Sequence, residues 1–143
     1  MKKIKMLLLF ISLLSGCGVS NQNISLTLEE ESQIVDYDMV KEKHIEWSQL
    51  LSISQETYSC YVYSPQCGHC NEIKIDIINY SLSKDNFYFI KYDNSIPIIT
   101  DIESTIGNNL EEIGIKGTPS LLVVENGVLT KNIAGAKAIL ELI

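Results

Sequence analysis

The sequence predicts an α/β fold, with a mixed central sheet of four to five strands flanked by helices on both faces. Three observations predict it. The run TYSCYVY at 57–63 is β-branched and aromatic, the composition of a central strand. An apolar helical face (Ile73, Ile77, Ile78, Tyr80) separates that run from a second, FYFIKY at 87–92. Two strands joined through one helix are expected to be parallel neighbours with a right-handed crossover. Finally, the apolar runs Leu121 to Glu125 and Val128 to Ile133 flank Asn126-Gly127, a two-residue hairpin turn.

The chain opens with MKKIKMLLLFISLLSGC. Lys2, Lys3 and Lys5 precede an apolar run far shorter than the ~20 residues a membrane-spanning helix needs. Basic residues, a short apolar core and small residues in that order read as a secretory signal. Leu14-Ser15-Gly16-Cys17 resembles the lipobox of bacterial lipoproteins, which implies removal of residues 1–16 and diacylation of Cys17 as the new N-terminus. Two acyl chains suffice for stable anchoring, so the expected location is the extracytoplasmic side of the cell membrane. With Cys17, residues 18–31 (GVSNQNISLTLEEE) read as a polar, flexible tether, and 32–143 as one domain long enough for a buried core.

The whole chain carries a formal charge of −7, and losing a leader with three lysines and no acid makes the remainder more negative still. Such a surface repels nucleic-acid backbones and excludes DNA or RNA as partners. The chain has no arginine; lysine-only basic usage and the signal together point to a bacterium with an AT-rich genome.

Along the domain, Gln33 to Asp36 reads as a short strand, and Asp38 as the cap of a helix from Met39 to Leu51 carrying Val40, Ile45, Trp47, Leu50 and Leu51. His44 lies on it without a second ligand one turn away, so no metal role is expected. After Pro97, residues from Thr100 to Ile113 read as a helix with Ile102, Ile106, Leu110 and Ile113 on one side. Ala136 to Ile143 closes the chain as a short helix. The expected order is β-α-β-α-β-α-β-β-α.

The chemistry concentrates in YSPQCGHC, residues 63–70. Haem attachment needs C-x-x-C-H, but Asn71 follows Cys70. A tetrahedral zinc site needs four ligands, and no second Cys or His pair exists. A disulfide across two residues closes too small a loop to restrain the unfolded chain much. A reactive dithiol remains. Cys67 sits where a strand gives way to a helix, so free backbone N–H groups favour its thiolate. His69 adds an imidazole, Cys70 lies one turn deeper, and Gly68 leaves the turn open to a partner. With Cys17 lipidated, Cys60, Cys67 and Cys70 are an odd set, which fits one redox pair plus one thiol better than a disulfide-stapled fold. Cys60 reads as a small buried hydrophobe; the sharper alternative is a third redox thiol.

From about residue 32 to 143 the chain resembles the thioredoxin superfamily. SPQCGHC is similar to the APWCGHC of protein disulfide isomerase, and Gly117-Thr118-Pro119 before the hairpin looks like the superfamily's cis-proline loop. The resemblance implies Cys67 as nucleophile, Cys70 as resolving thiol and His69 as tuner. Gly68, Thr118 and Pro119 would then meet an extended client segment by strand addition. It implies no cofactor beyond a Cys67–Cys70 disulfide, no metal, and a monomer. Implied partners are secreted or surface proteins and an integral-membrane electron partner. The direction of electron flow stays open, since the superfamily spans roughly −270 to −120 mV. A second reading is an accessory lipoprotein that binds exported peptides such as bacteriocins. The sequence also departs from its relatives. Tyr61 stands where they bury an acid, which leaves water, Lys91 or Glu125 as candidate proton carriers; Gln66 stands for a tryptophan and Ile75 for a helix-kinking proline. The connection from Asp93 to Thr118 is longer than the minimal fold requires.

Overall fold

The alternation of TYSCYVY organises the molecule. In a computed structural model that describes residues 34–100 and 105–143, this run is strand β1 (Thr57–Tyr63), at the centre of a four-stranded sheet. Its neighbours are β2 (Phe87–Lys91), parallel to it, and β3 (Ser120–Glu125), antiparallel; β4 (Val128–Ala134) pairs with β3. The strand order is β2-β1-β3-β4. The parallel pair and the hairpin match the expectation. Asn126 and Gly127 both take positive φ (51° and 75°), the geometry that matches a hairpin turn to the twist of its strands.

Successive side chains on a strand point to opposite faces. Tyr61 and Tyr63 of β1 therefore join Phe87, Phe89 and Leu121 in one core, whereas Tyr58, Cys60 and Val62 join Ile90, Leu122 and Val124 in the other. The first face is covered by helices α1 (Gly68–Glu72), α2 (Lys74–Leu82) and α3 (Ala136–Leu140), and by a 3-10 helix at Tyr37–Lys43. The second is covered by a 3-10 helix at Trp47–Gln49 and by Ile96, Ile113 and Ile115 of the β2–β3 connection. Helical segments thus flank both faces, as predicted.

Several elements differ from expectation. Ile34 to Asp36 pairs with no strand, and the cap is Asp36, not Asp38: its carboxylate accepts from the Tyr37 N–H at 2.6 Å. The single helix from Met39 to Leu51 is instead two 3-10 helices. Between them Ile45 N–H donates to Phe89 C=O at 2.9 Å, so the edge of β2 captures backbone that a continuous helix would have used internally. The helix expected over Thr100 to Ile113 is absent from 105–113, which forms turns; residues 101–104 lie outside the described segment. Gly107 at φ 143° stands in a conformation no helix contains, and it exchanges backbone hydrogen bonds with Leu129 instead. At Gly114 a Cβ would lie 2.4 Å from Pro97 C=O, so only glycine permits the close approach that lets Ile115 N–H bond Pro97 C=O. The last helix stops at Leu140. The signal, Cys17, the tether and Gln33 lie outside the described residues.

Candidate active site

The dithiol occupies the junction between β1 and α1. Cys67 is extended (φ −83°, ψ 118°) and is the N-cap of α1; its C=O accepts from Asn71 N–H at 3.1 Å. The helix is interrupted at Ile73 (φ −107°, ψ 7°), so it breaks without the proline that Ile75 replaces. Cys67 is partly exposed, Gly68 and His69 are exposed, and Cys70 is buried beneath them. A Cβ on Gly68 would meet nothing within 4 Å, which leaves the approach to Cys67 clear.

The second half of the site arrives from 51 residues away in sequence. The Thr118–Pro119 peptide bond is cis, and the Cys67 thiol donates to Thr118 C=O at 3.2 Å. Pro119 is buried, and its C=O accepts from Gly135 N–H at 2.9 Å, which ties the loop to the start of α3. Cys67, Gly68, His69, Cys70, Thr118 and Pro119 are thereby brought to one end of the sheet. Beside them His69, Glu72, Gly135, Ala136, Lys137 and Glu141 line an open groove of about 620 Å³.

Electrostatics divides the two sulfurs. At Cys67 burial favours the neutral thiol, but hydrogen bonds from the Thr118 side chain, Cys70 and the backbone N–H groups of Cys70 and His69 outweigh it, so the thiol falls below its ordinary value. At Cys70 burial dominates and the neighbouring Cys67 adds to it, pushing the thiol up to about 11 against help from the Ser64 backbone. His69 Nδ1–H donates to Glu72 Oε2, 3.0 Å away; that hydrogen bond and charge raise its pKa, with a smaller contribution from Cys67. Glu72 was not anticipated, although its place three residues after His69 on a helix is a readable signal.

The structure separates Cys60 from this chemistry. It is fully buried on the opposite face of the sheet, where burial pushes its thiol far up. A third redox thiol contacting the pair is therefore overturned, since the strand's alternation turns Cys60 away. Of the candidate proton carriers, Glu125 is overturned, since it is exposed and pairs with Thr57 at the far end of β1; Lys91 is exposed and pairs with Tyr63 at the dithiol end of that strand. His44 is half-buried and structural. Its Nδ1 meets Val40 C=O at 3.1 Å and its Nε2 the Tyr63 hydroxyl at 2.8 Å. No cluster of His, Cys, Asp or Glu among the described residues has the form of a metal site.

A parallel β1–β2 pair, an antiparallel β1–β3–β4 extension, a dithiol at the β1 exit and a cis proline at the β3 entry define the architecture. The fold is thioredoxin-like. No family model matches the chain, nor does any curated protein. Among solved structures it is similar to Plasmodium falciparum thioredoxin, with 20% identity, 70% of this chain and 94% of that one covered, and a TM-score of 0.47. Spinach chloroplast thioredoxin F (long form) is similar at 14% identity, with coverage of 70% and 79% and a TM-score of 0.47. Mitochondrial thioredoxin 3 from Saccharomyces cerevisiae matches at 14% identity, with coverage of 69% and 88% and a TM-score of 0.47.

Proposed function

We propose that the chain is an extracytoplasmic thiol–disulfide oxidoreductase, anchored to the cell membrane through lipidated Cys17, that exchanges disulfides with secreted or surface proteins. The observation that carries this reading is the pairing of an accessible, acidified Cys67 with a buried Cys70, beside the cis Thr118–Pro119 bond. Only a thiolate attacks a disulfide. The Cys67 thiolate forms a bond to one client sulfur, and the other client sulfur leaves and takes a proton. Cys70 then loses its proton and attacks Cys67 Sγ. The Cys67–Cys70 disulfide closes, and the second client sulfur leaves as a thiol. Two electrons pass to the client; the reverse sequence oxidises it. The groove at Gly135 to Lys137 offers the client chain a place beside the sulfur.

The test is insulin reduction, together with oxidative refolding of a reduced substrate. Wild type accelerates at least one, and Cys67→Ser accelerates neither. If neither assay responds, with Cys67→Ser equal to wild type, the enzymatic reading fails. The accessory-binder reading draws on one observation, that among the described residues no carboxylate lies in the buried cluster around Cys70, which suits a chain that holds clients non-covalently more than it turns them over. Cys67→Ser/Cys70→Ser separates the two: peptide binding survives it, and exchange does not.

A further inference from the structure

Beneath the dithiol, Tyr37 and Tyr61 bury their hydroxyls with no hydrogen bond of good geometry among the described residues, although Tyr37 and Tyr61 interact with each other and Tyr61 with Cys70. A buried hydroxyl without a partner costs free energy that phenylalanine would not, so two in one cluster call for a reason. Both lie in the core that contains Cys70. Tyr61 reaches it from β1, and Tyr37 from the 3-10 helix at Tyr37–Lys43. Their rings are fixed by Tyr63, which stacks on Tyr37 at 3.7 Å and lies parallel to Tyr61 at 6.2 Å. Tyr63 is itself held by His44 through the 2.8 Å contact.

Resting on the redox reading above, we propose that Tyr61, backed by Tyr37, is the hydrogen-bond donor that receives the Cys70 thiolate during resolution of the mixed disulfide. Tyr61 stays neutral throughout. As the Cys70 proton leaves for the departing client sulfur, the Tyr61 O–H points to the new thiolate, and the Tyr37 O–H points to the Tyr61 oxygen. Burial, followed by the neighbouring Tyr37 and Cys70, holds Tyr61 far above the ordinary phenol range, which suits a donor that never ionises and rules out a proton acceptor of the carboxylate kind. The titratable groups around Cys70 are Cys67 from the dithiol turn, Tyr61 and Tyr63 from β1, and Tyr37, with Asp36 and Asp38 acting on the tyrosines from the surface. Sheet and helix residues Phe87, Phe89, Leu121 and Ile139 complete the cluster without charge.

The experiment mixes the reduced full-length protein with 5,5′-dithiobis(2-nitrobenzoate) across pH 6–9. One nitrothiobenzoate leaves when Cys67 attacks, and the second leaves when Cys70 resolves. In Tyr61→Phe the first phase stays within about twofold, while the second slows about tenfold, as loss of a bond to a charged group requires. Its pH midpoint moves up by about one unit. Tyr37→Phe slows the second phase less, about threefold. A second phase at the wild-type rate in Tyr61→Phe overturns the proposal. So does an equal slowing of both phases with a lower melting temperature, which marks a structural role. If Tyr61→Phe does not fold, the 13C resonance of Tyr61 Cζ in the wild type decides: movement with Cys70 ionisation supports the proposal, and no movement overturns it. A wild type lacking even the first phase overturns the redox reading itself, and this inference with it.

Discussion

The two faces of β1 differ by one residue of register and by their entire chemistry. Tyr61 and Tyr63 point to a face rich in phenols, covered by helices and opening onto the dithiol; Tyr58, Cys60 and Val62 point to a mainly aliphatic face, with Trp47 and Tyr58 as its buried aromatics, closed by a short 3-10 helix and irregular chain. Each face holds a buried cysteine. Cys70 stands at a helix start within reach of hydrogen bonds, whereas the shift at Cys60 has burial as its only cause. Burial alone therefore does not make a thiol reactive or inert. What decides is whether polar groups face it.

The largest effect expected from this contrast is in catalysis. Cys67→Ser reduces exchange to the uncatalysed background, while Cys60→Ala leaves the insulin turnover rate unchanged; a loss of turnover in Cys60→Ala would break the separation of the faces. Stability should not distinguish them. Phe89→Ala on the phenol face costs about 3–5 kcal/mol and Leu122→Ala on the other about 2–5 kcal/mol, read from denaturant midpoints.

Phenols sharpen the comparison. On the aliphatic face the Tyr58 hydroxyl donates to Leu50 C=O at 2.7 Å, so Tyr58→Phe costs about 1 kcal/mol. On the phenol face Tyr61→Phe removes a hydroxyl with no aligned partner and leaves the melting temperature within error of wild type or above it. A Tyr61→Phe penalty as large as that of Tyr58→Phe would mean that the hydroxyl is already satisfied. The smallest effect lies at the rim. Lys74 Nζ sits 3.2 Å from Asp36 Oδ2, and this hydrogen bond is the main cause that lowers the Asp36 pKa. A carboxyl depressed by folding contributes stability above its unfolded pKa near 3.9 and loses it as pH falls through the folded value. The Asp36 carboxylate is exposed, though Lys74 is half-buried, and solvent screening at the carboxylate holds the cost of Lys74→Ala to a few tenths of a kcal/mol near neutral pH. That difference disappears in strong acid, as equilibrium unfolding at two pH values would record.

Much of this was legible in the sequence, for reasons of local chemistry. β1, β2 and the hairpin carry β-branched runs and an Asn-Gly turn, signals that no tertiary contact had to override. The dithiol and the Thr118–Pro119 loop were legible as motifs, and both fall at the same end of the sheet. The helix expected at Met39 to Leu51, and the described part (105–113) of the one expected at Thr100 to Ile113, were not found, because apolar spacing reports which side chains are buried without fixing the backbone between them. Val40, Trp47 and Leu50 are buried as that spacing demands, yet the chain between them bonds to β2. Gly107, next to Asn108 and Asn109, was the warning against the second helix. Tyr37 had no local signal at all: its place beside Tyr61 exists only once the first 3-10 helix docks on the sheet.

The most direct test of the account is the rate of iodoacetamide alkylation at Cys67 as a function of pH, resolved by mass spectrometry in the reduced wild-type protein. The account predicts a midpoint clearly below the value of about 8.5 for free cysteine, with Cys70 and Cys60 unreacted in the same interval. A Cys67 midpoint at or above that of free cysteine would contradict it.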